Sequence, residues 1–185
     1  MSNPSTCDRN TSQLILIDVQ EKLCGVMPQP VLATVLKNCS ILLQAAQLLE
    51  IPALVTEQYP KGLGSTHTEL APYLQHAPLV EKTCFSCCDE PTFRTKMSDG
   101  RPQIILAGME SHICVLQTAL ALASMGRQPF VVEDAVLSRN PENKANAMQR
   151  LRQAGVIVTS AESVVFEWLG SAEGQAFKQI SRLLR

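Results

Sequence analysis

Residues 104–115 read Ile104-Ile105-Leu106-Ala107-Gly108-Met109-Glu110-Ser111-His112-Ile113-Cys114-Val115. A run of β-favouring apolar residues stops at Gly108, and an apolar helical pattern follows Ser111, so the segment reads as strand, tight turn, helix. Ser111 is the expected helix N-cap. Cys114 then falls in the first helical turn, where free N–H groups and the helix dipole favour a thiolate. Cysteine there is a candidate nucleophile. Taken alone, the pattern fits a small buried apolar residue equally well.

The same alternation extends in both directions. Leu14-Ile15-Leu16-Ile17 reads as a buried strand ending in Asp18. Leu32, Val35, Leu36, Cys39, Leu42, Leu43, Ala46 and Leu49 recur at helical spacing, giving an amphipathic helix over 30–50. Ile51 to Thr56 is a second strand, with Pro52 at its start where a missing N–H matters least. Turn residues make 57–65 a loop, and a short helix follows near 68–75. Leu79-Val80-Glu81-Lys82 is a third strand, and Glu90 to Met97 a short helix. Ile104 to Ala107 is the fourth strand, Pro129 to Glu133 the fifth and Val156 to Val158 the sixth. Asn140-Pro141 starts a helix that stops at Gly155. Thr159-x-x-Glu162 reads as a capping box for a helix closed by Gly170. A last helix turns Phe177, Ile180 and Leu183 inward.

Repeated strand–helix alternation implies a three-layer α/β/α fold with a six-stranded, mainly parallel sheet. Right-handed crossovers leave few topologies, and the Rossmann-like order 3-2-1-4-5-6 is taken as the working one. With no internal repeat or linker, residues 1–12 read as a polar N-terminal tail and 13–185 as a single domain.

A formal net charge of −1 and the absence of a basic patch argue against nucleic acid as a partner. No apolar stretch is expected to approach the roughly 20 residues that a membrane helix needs, so no membrane partner is expected. Met1 to Ser12 is polar and lacks an apolar signal core, which points to a cytoplasmic location. Seven cysteines, an odd number, fit a thiol set better than a disulfide framework. Cys84, Cys87 and Cys88 contain a C-x-x-C, conceivable as a redox pair or half of a zinc site. No second Cys/His pair with matching spacing appears, so no metal is expected.

In an open parallel sheet, ligands bind beyond the carboxyl ends of the strands, where the order reverses. Asp18 ends strand one, Lys82 ends strand three and Cys114 follows strand four. Singly they read as a turn residue, a solvated cation and a packing residue. Together they make chemical sense. A carboxylate can take a thiol proton, an ammonium can stabilise both anions, and helix-start N–H groups can hold an oxyanion.

With those pieces in place, the chain resembles the isochorismatase-like cysteine hydrolases, a superfamily that includes nicotinamidases and N-carbamoylsarcosine amidohydrolases. The matching segments are Leu16-Ile17-Asp18-Val19-Gln20, Glu81-Lys82-Thr83-Cys84-Phe85-Ser86 and Ala107-Gly108-Met109-Glu110-Ser111-His112-Ile113-Cys114-Val115. Val132-Glu133-Asp134-Ala135 follows the same pattern. The likeness runs from residue 13 to about 170 and is nearest the isochorismatase domain-containing branch. It implies a triad of Asp18, Lys82 and Cys114, with the backbone N–H groups of Glu110 and Cys114 as oxyanion donors and a cis peptide between Met109 and Glu110. It also implies a small-molecule substrate and a homo-oligomer.

Gln20, Glu57, Tyr59 and Phe85 would line the pocket by position. Metal-dependent nicotinamidases carry an Asp-x-His after the second strand. Thr56-Glu57-Gln58-Tyr59-Pro60 lacks it, so neither metal nor cofactor is expected. The resulting expectation is a metal-independent cysteine hydrolase of a small amide, imide or carbamoyl C–N bond, acting through an acyl-enzyme. The alternatives are a vinyl-ether hydrolase of the isochorismatase type, a non-catalytic binding protein that keeps the fold, and a thiol redox protein using the Cys84 cluster.

Overall fold

The computed structural model describes residues 5–184. In chain order the elements begin with β1 (Ser12–Ile17), α1 (Glu21–Cys24), α2 (Gln29–Leu48), β2 (Ala53–Gln58), α3 (Pro60–Leu63), β3 (Leu79–Lys82) and α4 (Pro91–Lys96). There follow β4 (Gln103–Met109), α5 (Leu116–Ser124), β5 (Gln128–Leu137), α6 (Pro141–Gln153), β6 (Ile157–Thr159), α7 (Ala161–Leu169) and α8 (Gly174–Leu183). The strands form one six-stranded sheet in the order β3-β2-β1-β4-β5-β6, with every pairing parallel. The expected order therefore holds, and its reversal lies between β1 and β4.

Strand periodicity divides the apolar residues between two cores. Leu14 and Leu16 of β1, with Ile105 and Ala107 of β4, pack beneath α2, α7 and α8. Ile15, Ile17, Ile104 and Leu106 face the other way, onto α4, α5 and α6. Both faces are covered, which is why the central strands read as unbroken apolar runs.

The differences from the sequence reading have local causes. β5 runs four residues beyond Glu133, to Leu137. A register shift between Leu106 and Gly108 lets Val136 and Leu137 pair again with Gly108 and Met109. The cap of α7 is Ser160, whose hydroxyl accepts the Ser163 N–H at 3.2 Å. The N-cap therefore lies one residue beyond Thr159, with Ser163 and not Glu162 three places after it. Asn140 caps α6 as expected, accepting the Glu142 N–H at 2.8 Å.

α2 spans twenty residues and is, by length and composition, long and apolar enough to cross a membrane, which corrects the expectation that no stretch comes near. Half of it is buried in the protein, under the sheet face that holds Leu14 and Leu16. Within the segment read as a polar tail, Cys7 is buried, and its N–H donates to Glu167 on α7 at 2.7 Å. Residues 1–4 of that segment, and residue 185, lie outside the described residues.

Candidate active site

The carboxyl ends of β1, β3 and β4 converge on one cleft because of register. Ile17 lies opposite Thr56 in the β1–β2 pairing, and Gln58 lies opposite Lys82 in the β2–β3 pairing. Lys82 thus reaches Asp18 across the end of β2. Asp18 leaves β1 in the left-handed region, φ 51°, which an aspartate tolerates better than most residues. Its carboxylate is fully buried. Oδ1 accepts the Thr56 hydroxyl at 2.6 Å, and Oδ2 accepts Lys82 Nζ at 2.6 Å. Nζ donates also to Gln58 Oε1 at 2.7 Å, and the Cys84 and Phe85 carbonyls lie at 3.4 and 3.5 Å.

Gly108 brings β4 close enough for this. Its φ is +123°, and a Cβ there would stand 1.9 Å from the Ile17 carbonyl oxygen. Only glycine can occupy the position. The Met109–Glu110 peptide that follows is cis. Glu110, and not Ser111, flanks the helical start, and residues Ser111–Val115 form one π-helical turn before α5. The Ser111 hydroxyl is buried and makes no hydrogen bond, so the expected cap does not form. Among the described residues, no backbone carbonyl accepts from the Glu110 N–H.

Cys114, 6% exposed, opens onto the cleft beside Asp18. Burial raises its thiol well above the ordinary range. The Asp18 charge and a hydrogen bond to that carboxylate add to the effect, and Lys82 opposes it. The resting sulfur is therefore a thiol, in the same cleft lining as the Asp18 carboxylate. The helix start does not by itself make it a thiolate, because desolvation and a neighbouring anion outweigh the dipole. Burial pulls Lys82 down, but the charges of Asp18, Cys87 and Cys114 more than restore it, so its ammonium is held above the usual lysine range.

The cleft has a volume of about 370 Å³ and a largely apolar lining that includes Leu23, Leu63, Phe85 and Ile113. Of the pocket residues expected from sequence, Phe85 is there, half exposed. The other three are not. Gln20 is buried and uses its amide on the chain, donating to the Gln58 and Gly64 carbonyls and accepting the Gln58 N–H. Glu57 sits on the opposite pleat of β2 from Thr56 and Gln58, where it accepts the Thr66 N–H and hydroxyl. Tyr59, exposed and at φ 38°, lays its ring against Gly62.

Sequence reasoning missed Thr56, Gln58 and Arg139. The first two carried a signal. They are polar residues two apart at the end of a buried strand, hence on one pleat. Arg139 carried none, since it follows the extension of β5 that the bulge creates. In the Cys84 cluster, Cys84 is half-buried and Cys87 and Cys88 are buried, all as free thiols. Burial pushes Cys87 up to about 12 and Cys88 to about 11. Among the described residues, no group of three or more metal-ligating side chains is gathered anywhere.

A doubly covered parallel sheet with a thiol, a carboxylate and an ammonium gathered at its carboxyl edge places the chain among the α/β proteins. Within that class the chain belongs to the isochorismatase family of hydrolases, the isochorismatase domain matching residues 12–163. It is 38% identical over 182 residues to the secreted isochorismatase effector Isc1 of Phytophthora sojae (strain P6497), covering 95% of this chain and 85% of that protein. It is also 38% identical over 178 residues to isochorismatase domain-containing protein 2 of Bos taurus, covering 95% and 83%. Among solved structures it resembles the MAR1 ribonuclease from Caenorhabditis elegans, with a TM-score of 0.86, 36% identity and coverage of 97% and 92%. It shares its fold with YcaC of Escherichia coli, an octameric hydrolase of unknown specificity, with a TM-score of 0.91, 23% identity and coverage of 99% and 92%.

Proposed function

We propose that the protein is a metal-independent cysteine hydrolase that cleaves a small amide, imide or carbamoyl C–N bond through an acyl-enzyme, with Asp18, Lys82 and Cys114 as the catalytic set. The observation that carries this reading is the buried Asp18 carboxylate, paired with the Lys82 ammonium at 2.6 Å and lining one cleft together with Cys114. Asp18 takes the thiol proton as sulfur bonds to the substrate carbonyl carbon. The oxyanion is held by the N–H groups of Glu110 and Cys114. The proton passes from Asp18 to the leaving nitrogen as the C–N bond breaks. Water, deprotonated by Asp18, then cleaves the thioester and returns the thiol. Lys82 holds Asp18 in position for each proton transfer and offsets the negative charge beside it. A cleft of this volume suits a small molecule and needs no cofactor for these steps.

The test is ammonia release from a panel of small amides and ureido compounds, with intact-mass detection of an acyl adduct on Cys114. Cys114→Ala should abolish both, and retained turnover would remove the covalent mechanism. The vinyl-ether reading suggested by the name of the Phytophthora relative proceeds by protonation and needs no sulfur. It predicts instead that Cys114→Ala keeps activity on isochorismate. The ribonuclease name of the nematode structure gives RNA as a control substrate, although a net charge of −1 offers little to hold a phosphate backbone. A homo-oligomeric state, suggested by the octameric YcaC, and a cytoplasmic location, suggested by seven free thiols, belong to the same proposal.

A further inference from the structure

Two hollows meet at one ion pair. The Cys114 cleft abuts a second, polar hollow of about 250 Å³ lined by Glu110, His112, Arg139, Asn140 and Asn143. Glu110 and Arg139 line both hollows and form the wall between them. The Glu110 side chain is 5% exposed and is occupied in full by Arg139. Oε2 accepts the Arg139 backbone N–H at 3.0 Å and Nε at 3.2 Å, and Oε1 faces Nη2 at 3.1 Å. The Nε/Nη2 side of the guanidinium is thus filled by a carboxylate that matches its charge, and the N–H groups of the Nη1/Nη2 edge are left for other acceptors. Asp18 is matched by Lys82 in the same way, at 2.6 Å. Every charge that lines the cleft is paired, and the rest of its lining is apolar or neutral.

We propose that Glu110 is a specificity-determining residue, holding Arg139 in a neutralised pair so that the cleft selects uncharged acyl compounds and rejects analogues bearing a carboxylate. The proposal rests on the hydrolase reading for the word substrate, but the selection itself belongs to the cleft. An incoming carboxylate finds Lys82 and Arg139 each already matched by a carboxylate, and it adds a third anion beside Asp18 and Glu110. Its own desolvation is then unmatched, which is how a site discriminates by repulsion as well as by contact. An uncharged carbonyl or hydroxyl asks only for a hydrogen-bond donor, which the Nη1/Nη2 edge of Arg139 supplies.

Cys114 itself supplies a readout that needs no turnover. Iodoacetamide and iodoacetate differ only in charge. Each forms an S–C bond as iodide leaves, and the thiol proton passes to Asp18 or solvent. Peptide mass mapping gives the Cys114 rate with each reagent, normalised to the same reagent on glutathione. The wild type should favour iodoacetamide by at least about tenfold, and Glu110→Gln, which frees Arg139, should shrink that preference by about tenfold. Arg139→Gln, which leaves the Glu110 charge bare, should widen it. A preference that stays within about twofold of wild type in Glu110→Gln overturns the proposal. If that variant does not fold, the absence of widening in Arg139→Gln does so instead. Failure of Cys114 to react with iodoacetamide at all also overturns it, since the cleft would not admit even the uncharged probe. Failure of the hydrolase reading looks different: the charge preference is present and responds to both variants, while no amide is turned over.

Discussion

Asp18→Asn probes the arrangement most directly, because it removes one charge and almost no volume. The Lys82–Asp18 contact is 2.6 Å, between side chains 0% and 1% exposed. At an effective dielectric of about 20 the gross attraction is roughly 6 kcal/mol at that separation. Part of the ammonium's needs would still be met by Gln58 Oε1 and the Cys84 and Phe85 carbonyls. The expected net loss is therefore about 3–5 kcal/mol, the usual cost of breaking a buried pair from one side. At pH 7 this should appear as a fall of about 2 M in the urea midpoint. Adding Lys82→Met removes the stranded cation and should restore more than half of the lost stability, because an apolar residue of similar length suits that site. Under the proposed mechanism activity should not return with it, since loss of a general base costs about 10²–10⁴-fold. The reasoning fails if Asp18→Asn unfolds within about 1 kcal/mol of wild type, or if the double variant is no more stable than the single one.

Gly108→Ala should cost about 4 kcal/mol or prevent soluble expression, because its Cβ would strike the Ile17 carbonyl at a φ that alanine disfavours. A thermal melt near that of wild type would contradict the close approach. Ser160→Ala should lose about 1 kcal/mol in urea unfolding while Thr159→Ala loses less than about 0.5, a ranking that reverses if the capping box forms at Thr159 after all. Stability should fall above pH ~9. Burial raises the folded-state thiols of Cys39, Cys87 and Cys114, so their protons stay on in the native state after unfolded thiols, with a pKa of about 8.5, have lost theirs. The contribution is therefore whole below that value and is lost as pH rises toward the folded pKa values, by about 1.4 kcal/mol per pH unit for each such thiol. Urea titrations from pH 7 to 10.5 would check this, and a flat profile would refute it.

The strands, and Asp18, Lys82 and Cys114 at or just after strand ends, were legible in the chain because they rest on local patterns: apolar runs of strand length, helical spacing between them, and polar residues where each run stops. The strand order entered only as a working choice, and pairing between distant strands is what brings those ends together. The pocket walls were not legible in the same way. Glu57 and Gln58 are sequence neighbours of similar character, and the pleat alone sends one away from the cleft and the other to Lys82. Gln20 looked like a pocket residue, but its amide is consumed by the turn it closes.

What the sequence determined by itself was the periodicity, and with it the layers and the strand ends, because burial of apolar side chains acts on each element separately. The tertiary structure alone decided the state of the thiol and the company of Glu110. Desolvation and charge act through space between residues far apart in the chain, and the partner that neutralises Glu110 arrives just beyond a strand extension that pairing with β4 creates.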